Sequence, residues 1–271
     1  MTSTNDQANR PLALITGASS GIGRAYAQRL AADGHDLVVV ARRVDRLEEL
    51  KAELESQHRV SVTPLVADLS IEAGRREVDA AAADERLIFL VDCAALAYYM
   101  PFLSLPPEKA EELVNLNVLA PVGLIRSALP GMVERRKGSV VTFASMLAFS
   151  ATTDNPRMPK RVVYAATKAF LVAFIRLLAA ELQGTGVQVQ VVCPAIVKTE
   201  FHSRQNLDMS DRPRMEPEAV VTASMAGLAM GEVVCMPSVE EVDGLAGYDQ
   251  AEKDLLARGL MSPEPAQRYT R

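Results

Sequence analysis

Tyr164 and Lys168 stand four residues apart in VVYAATKAF (162–170), a stretch that is otherwise largely apolar. On a helix, residues i and i+4 share a face. A free phenol ionises near 10, too high for efficient proton exchange at neutral pH. An ammonium beside it stabilises the phenolate and lowers that value. The pair is therefore one way to make a neutral-pH acid/base from two weak groups. In a chain with six tyrosines the spacing alone is weak evidence, and it needs a second motif.

The second motif is the run Thr16-Gly17-Ala18-Ser19-Ser20-Gly21-Ile22-Gly23. It follows an apolar strand-like run, LALIT (12–16), and opens a helical pattern that ends at Gly34. Glycines there let the backbone turn tightly and approach a pyrophosphate, and a helix N-terminus offers free N–H donors. Strand, glycine turn, helix and a second strand (37–41) within about thirty residues form a dinucleotide-binding βαβ unit. An acid at the end of the second strand would accept from the ribose hydroxyls; this chain has Arg42 and Arg43 instead. Guanidinium groups pair with a 2′-phosphate, so NADP(H) is expected in preference to NAD(H).

The elements that must position these groups continue the alternation. Helical patterns occupy 44–57, 71–83, 106–137 (two successive helices), 164–184 and 217–229. Strand-like runs occupy 60–66, 87–91, 138–145, 187–193 and 233–236, followed by a C-terminal tail. This predicts an α/β fold: a doubly wound (Rossmann) parallel β-sheet of about seven strands with helices on both faces. One domain is expected over 1–271, with its core at 10–200 and substrate-loop and C-terminal elements at 200–271. The stretches 146–163 and 200–216 read as excursions long enough to be functional.

Composition narrows the class. Nearly half of the 271 residues are apolar and 23% are charged, with a net charge of −5, as in a soluble globular chain. No basic run suggests nucleic acid, and no apolar run is read as a membrane span. The polar N-terminus shows no secretory leader, and the three separated cysteines read as buried thiols. A cytoplasmic protein is expected. His35, His58 and His202 are scattered, lack metal-ligand spacing and read as surface or loop residues; no metal is expected.

With these motifs in place, the chain resembles the short-chain dehydrogenase/reductase family in its standard single-domain branch, over about residues 10–200. TGASSGIG (16–23) and YAATK (164–168) match its cofactor turn and its Tyr-x-x-x-Lys. Asp68, followed by Leu69, matches the acid beside the adenine. Asn117 matches the helix asparagine, and Ser145 the serine ending the fifth strand. Pro194, Ala195, Val197 and Thr199 fall in the segment that holds the nicotinamide, and Cys93 and Ala94 in the segment after the fourth strand.

The resemblance implies roles. Tyr164 is the proton donor in carbonyl reduction, and Lys168 depresses its pKa and binds the nicotinamide ribose. Ser145 holds the substrate oxygen, and Asn117 supports a water leading to Lys168. It also implies a homodimer or homotetramer paired through 107–136 and 164–183. Three departures stand out. Asp92-Cys93-Ala94-Ala95 replaces the usual Asn-Asn-Ala-Gly, which puts the bracing of sheet and cofactor in question. Pro194-Ala195 replaces Pro-Gly. Ser145 and Tyr164 are nineteen residues apart, about six more than usual, and the excess is expected to shape the substrate mouth. The expected activity is hydride transfer between NADP(H) and a carbonyl/alcohol substrate, with ketone reduction favoured and both 3-oxoacyl-thioester and hydroxysteroid chemistry open. The alternative is a catalytically weak NADP(H)-binding sensor or scaffold.

Overall fold

Leu12–Thr16 (β1) is buried at every position, as a strand interior to a parallel sheet must be. Its side chains alternate between two layers: Ala13 and Ile15 enter one core, Leu12 and Leu14 the other. The computed structural model describes residues 10–153, 155–156, 158–241, 243–261 and 263–270. The other strands are β2 (Asp36–Ala41), β3 (Val62–Val66), β4 (Leu87–Asp92), β5 (Gly138–Phe143), β6 (Val187–Val192) and β7 (Val234–Cys235). All pairings are parallel, in the order β3-β2-β1-β4-β5-β6-β7. Pro64, which cannot donate to a ladder, sits in the edge strand β3.

Helices cover both faces. On one, α1 (Gly21–Ala32), α2 (Val44–Gln57) and α8 (Pro217–Met230) contribute Tyr26, Leu50 and Val220 to the core. On the other, α3 (Glu72–Ala82), α5 (Ala120–Glu134) and α6 (Val162–Glu181) contribute Val78, Leu124 and Ile175. The sheet is doubly wound, as the alternation requires. Strand order reverses between β1 and β4, so a crevice opens at their C-terminal ends, where such folds bind ligands.

Three local readings change. The helical stretch 106–137 is not two separate helices: α4 (Pro107–Val114) runs into α5 through a π-turn at Asn115–Leu119. Pro121 has no N–H to donate to the carbonyl of Asn117, four residues back, so the regular ladder cannot close there. The C-terminal tail contains a helix, α9 (Asp243–Gly259). The expectation about membrane spans is also corrected: Pro107–Glu134 and Val162–Glu181 are long and apolar enough to cross a membrane by length and composition. Here both lie on the sheet, with Leu124, Ile125, Leu171 and Ile175 in its core.

By compactness the chain divides into one unit ending at Pro237 and another beginning at Ser238. The first holds the sheet. The second contains α9, whose Leu255 and Leu256 are exposed.

Candidate active site

The glycine turn leaves β1 and enters α1 with Gly17 at φ +67° and Gly21 at φ +56°. A Cβ on Gly17 would lie 3.0 Å from the backbone of Cys93 and Ala94. One on Gly23 would lie 2.5 Å from the Gly17 carbonyl oxygen. The cradle is closed to larger residues and open towards the first N–H groups of α1, which fits a pyrophosphate.

A cavity of about 640 Å³ runs from this turn across the C-terminal ends of the strands. It is lined by the expected cofactor residues Gly17, Ser19, Ser20, Gly21, Ile22, Arg42, Arg43, Asp68, Leu69, Cys93, Ala94, Pro194, Ala195, Val197 and Thr199. Ser145, Tyr164 and Lys168 line the same cavity. Gly23 and Asn117 do not; they lie behind the wall. At one end Arg42 faces Asp68 at 3.6 Å, and Arg43 donates to Ser19 Oγ at 2.9 Å. Asp68 is held below its usual value: burial pulls it up, but hydrogen bonds from Ser70 and the Arg42 charge outweigh that.

The Asp92–Ala95 departure is braced by Thr16. Its hydroxyl donates to Asp92 Oδ1 at 2.9 Å and accepts from the N–H of Cys93 and of Ala94, both at 3.0 Å. Thr142 donates to the other Asp92 oxygen at 3.1 Å. The Cys93 thiol is pushed up to about 12 by burial and by Asp92, so it is no thiolate at neutral pH.

At the reacting end, Tyr164 is hydrogen-bonded to both Ser145 and Tyr99. Burial pushes its phenol up to about 12 against the pull of those two bonds. The Lys168 ammonium donates to the Phe143 carbonyl at 2.7 Å and lies 5.8 Å from the centre of the Tyr164 ring. Burial holds it down at about 8, with Asp92 pulling the other way. The Asn117 amide is committed to the backbone of Leu96, accepting from its N–H at 3.2 Å and donating to its carbonyl at 3.0 Å. It also donates to Thr167 Oγ1 at 3.2 Å. Its contacts place it as a brace beside Lys168.

Beyond Tyr164 the cavity is mainly apolar. Met146 and Leu147, at the start of the long Ser145–Tyr164 connection, line it with Met158 and Pro159. Arg161 ties that connection together through Ser150 Oγ at 2.9 Å and the Pro159 carbonyl at 3.0 Å. Arg157, a candidate basic residue of this stretch, lies outside the described residues. Phe201, on the short helix α7 (Glu200–Ser203), has its ring 6.1 Å from that of Tyr164.

Sequence reasoning missed Tyr99 and misread His202. The Tyr99 ring meets Tyr164 edge-on at 5.5 Å and lies parallel to His202 at 6.5 Å, and both line the cavity. His202 is thus no isolated loop residue; burial lowers its pKa. Among the described residues, no group of three His, Cys, Asp or Glu is placed to hold a metal ion.

Residues 11–210 match the family model described as short chain dehydrogenase. A short-chain dehydrogenase from Sphingobium yanoikuyae, solved in complex with NADPH, is 34% identical, with a TM-score of 0.89 and coverage of 96% of this chain and 99% of that one. The bulky-bulky ketone specific alcohol dehydrogenase from Comamonas testosteroni is 30% identical, with a TM-score of 0.86 and coverage of 97% and 100%. The very-long-chain 3-oxoacyl-CoA reductase of Mus musculus is 30% identical over 82% of this chain and 71% of its own length. The inactive hydroxysteroid dehydrogenase-like protein 1 of Homo sapiens is 31% identical over 72% and 58%.

Proposed function

The chain belongs to the short-chain dehydrogenase family, and from that premise we propose that it reduces a bulky, mainly apolar ketone with NADP(H). One observation carries the reading: a single cavity joins a phosphate cradle and Arg42/Arg43 to Tyr164, Ser145 and an apolar far end. The NADPH complex of the Sphingobium relative supports the cofactor, and the ketone specificity of the Comamonas relative supports the substrate class. The cofactor, when bound, supplies the hydride.

The chain's own residues do the rest. Ser145 and Tyr164 grip the carbonyl oxygen as negative charge develops on it. Tyr164 gives that oxygen its proton; a phenol lifted to about 12 stays protonated at neutral pH and is ready to donate. Lys168, fixed on the Phe143 carbonyl beneath the ring, keeps a positive charge near the forming phenolate. Leu96, Met146, Leu147, Phe201 and the Tyr99 ring exclude water from the reacting end.

The test is NADPH oxidation against a panel of aryl and alkyl ketones, 3-oxoacyl thioesters and ketosteroids, with NADH as a second arm and Tyr164→Phe as control. Turnover that prefers NADPH and bulky ketones, and falls at least a hundredfold in the variant, is the expected result. NADPH binding without turnover on any member returns weight to a sensor or scaffold, the reading that the relative named inactive favours.

A further inference from the structure

At the phosphate end of the cavity, three guanidinium groups converge on one carboxylate. Arg43 Nη1 donates to Glu200 Oε2 at 2.9 Å, Arg46 Nη2 stands 3.5 Å from Oε1, and Arg204 also donates to Oε2. Arg204 reaches Ser20 Oγ on the glycine turn at 3.4 Å. Arg43 is therefore shared between the turn and an acid carried by α7. This acid lies far away in sequence, 157 residues from Arg43. The cluster holds Glu200 below the usual carboxylate value, so it is ionised at neutral pH.

We infer that Glu200 sets the strength of 2′-phosphate recognition by competing with the phosphate for Arg43, Arg46 and Arg204. The inference rests on the NADP(H) reading above. A phosphate and a carboxylate cannot both take the same N–H donors, and two anions within a few ångströms repel. A 2′-phosphate must either displace Glu200 or bind against its charge, and either way its affinity is lowered. A cofactor without that phosphate meets no such competitor. Glu200 immediately precedes Phe201, which borders Tyr164, so the contest takes place on the element that also walls the reacting end.

The experiment is calorimetric titration of the purified full chain, at one fixed ionic strength, with adenosine 2′,5′-bisphosphate and with 5′-AMP. Wild type, Glu200→Gln, Glu200→Ala and Arg43→Ala are compared. Exposed ion pairs are individually weak, and releasing a cluster of three gives an expected gain of about three- to tenfold. Both Glu200 variants should bind the bisphosphate tighter by that factor, with 5′-AMP unchanged within about twofold. Arg43→Ala should weaken the bisphosphate alone. If Arg43→Ala weakens the bisphosphate but neither Glu200 variant tightens it, or both tighten 5′-AMP equally, the role of Glu200 is wrong while the arginine reading stands. If wild type does not distinguish the two ligands and Arg43→Ala changes neither, the NADP(H) reading has failed and this inference falls with it.

Discussion

Replacing Tyr99 by Phe removes one hydroxyl and keeps the ring. The ring contacts with Tyr164 and His202 therefore survive. What is lost is the hydrogen bond between the two phenols, one of two that hold Tyr164 below where burial alone would put it. A hydrogen bond to an ionised group contributes about 1.5–3 kcal/mol. At 1.36 kcal/mol per unit, the Tyr164 pKa should rise by about one to two units. In alcohol oxidation Tyr164 must accept a proton, so the rate climbs with pH as phenolate forms. The variant's climb moves up by the same one to two units, and at a fixed pH below it the rate falls about ten- to a hundredfold. In ketone reduction Tyr164 must give a proton, so the alkaline loss of rate also moves to higher pH. The assay is kcat and kcat/KM against pH in both directions, on a substrate from the ketone panel. A uniform drop in rate with an unshifted profile would refute the reasoning and leave Tyr99 as packing alone.

Three further outcomes follow from the same geometry. Thr16→Val keeps the shape of the side chain but leaves two part-buried N–H groups and buried Asp92 short of a partner; a cost of about 3 kcal/mol, or about 6–12 °C in Tm, should appear in a thermal melt. Lys168→Met should abolish turnover and flatten one part of the pH dependence of stability. The folded ammonium is held at about 8 against 10.5, so the fold bears its cost below pH 8 and sheds it as pH rises from 8 to 10.5; in melts run at stepped pH the Tm of wild type relative to the variant should therefore rise across that window. The chain should sediment as a dimer or tetramer at micromolar concentration, and Leu177→Glu, on the exposed apolar side of α6, should shift it to monomer.

How much of this was legible in the sequence depended on distance along the chain. The glycine turn, the Tyr164–Lys168 spacing and the buried strand runs are local patterns, and each took its expected place in the fold. Ser145 and Tyr164 meet despite the long connection because one ends a strand and the other sits near a helix start, both fixed by the sheet. Tyr99 has no such signature. It lies in an irregular segment after β4 and reaches Tyr164 only because β4 and α6 converge on the same crevice. The Glu200–Arg43 pair and the Thr16–Asp92 bond join residues 157 and 76 apart, which no periodicity could suggest. The π-turn did leave a trace, since Pro121 four residues after Asn117 is incompatible with an unbroken ladder. The helix α9 was missed because none of its described residues is buried, so it carries no core-facing stripe to read.

The same distances explain how the fold accommodates the Asp92–Ala95 departure. An amide replaced by a carboxylate introduces a buried group that needs donors, and Thr16 and Thr142 supply them from the two flanking strands. Burial raises Asp92 and lowers Lys168, each towards its neutral form, and the charge of each resists the neutralisation of the other. With the ammonium at about 8, the lysine stays mainly charged at pH 7. Without the opposing carboxylate, burial would pull the charged fraction lower. The substitution that removes two amides from the cofactor floor thus places a counter-charge near the lysine, and the lysine's charge is what a phenolate forming at Tyr164 needs close by. A chain whose fold had no use for that charge would gain stability by making both positions apolar. That this one keeps both, with every Asp92 oxygen bonded and the lysine anchored on Phe143, argues for a site maintained for proton transfer rather than for cofactor binding alone.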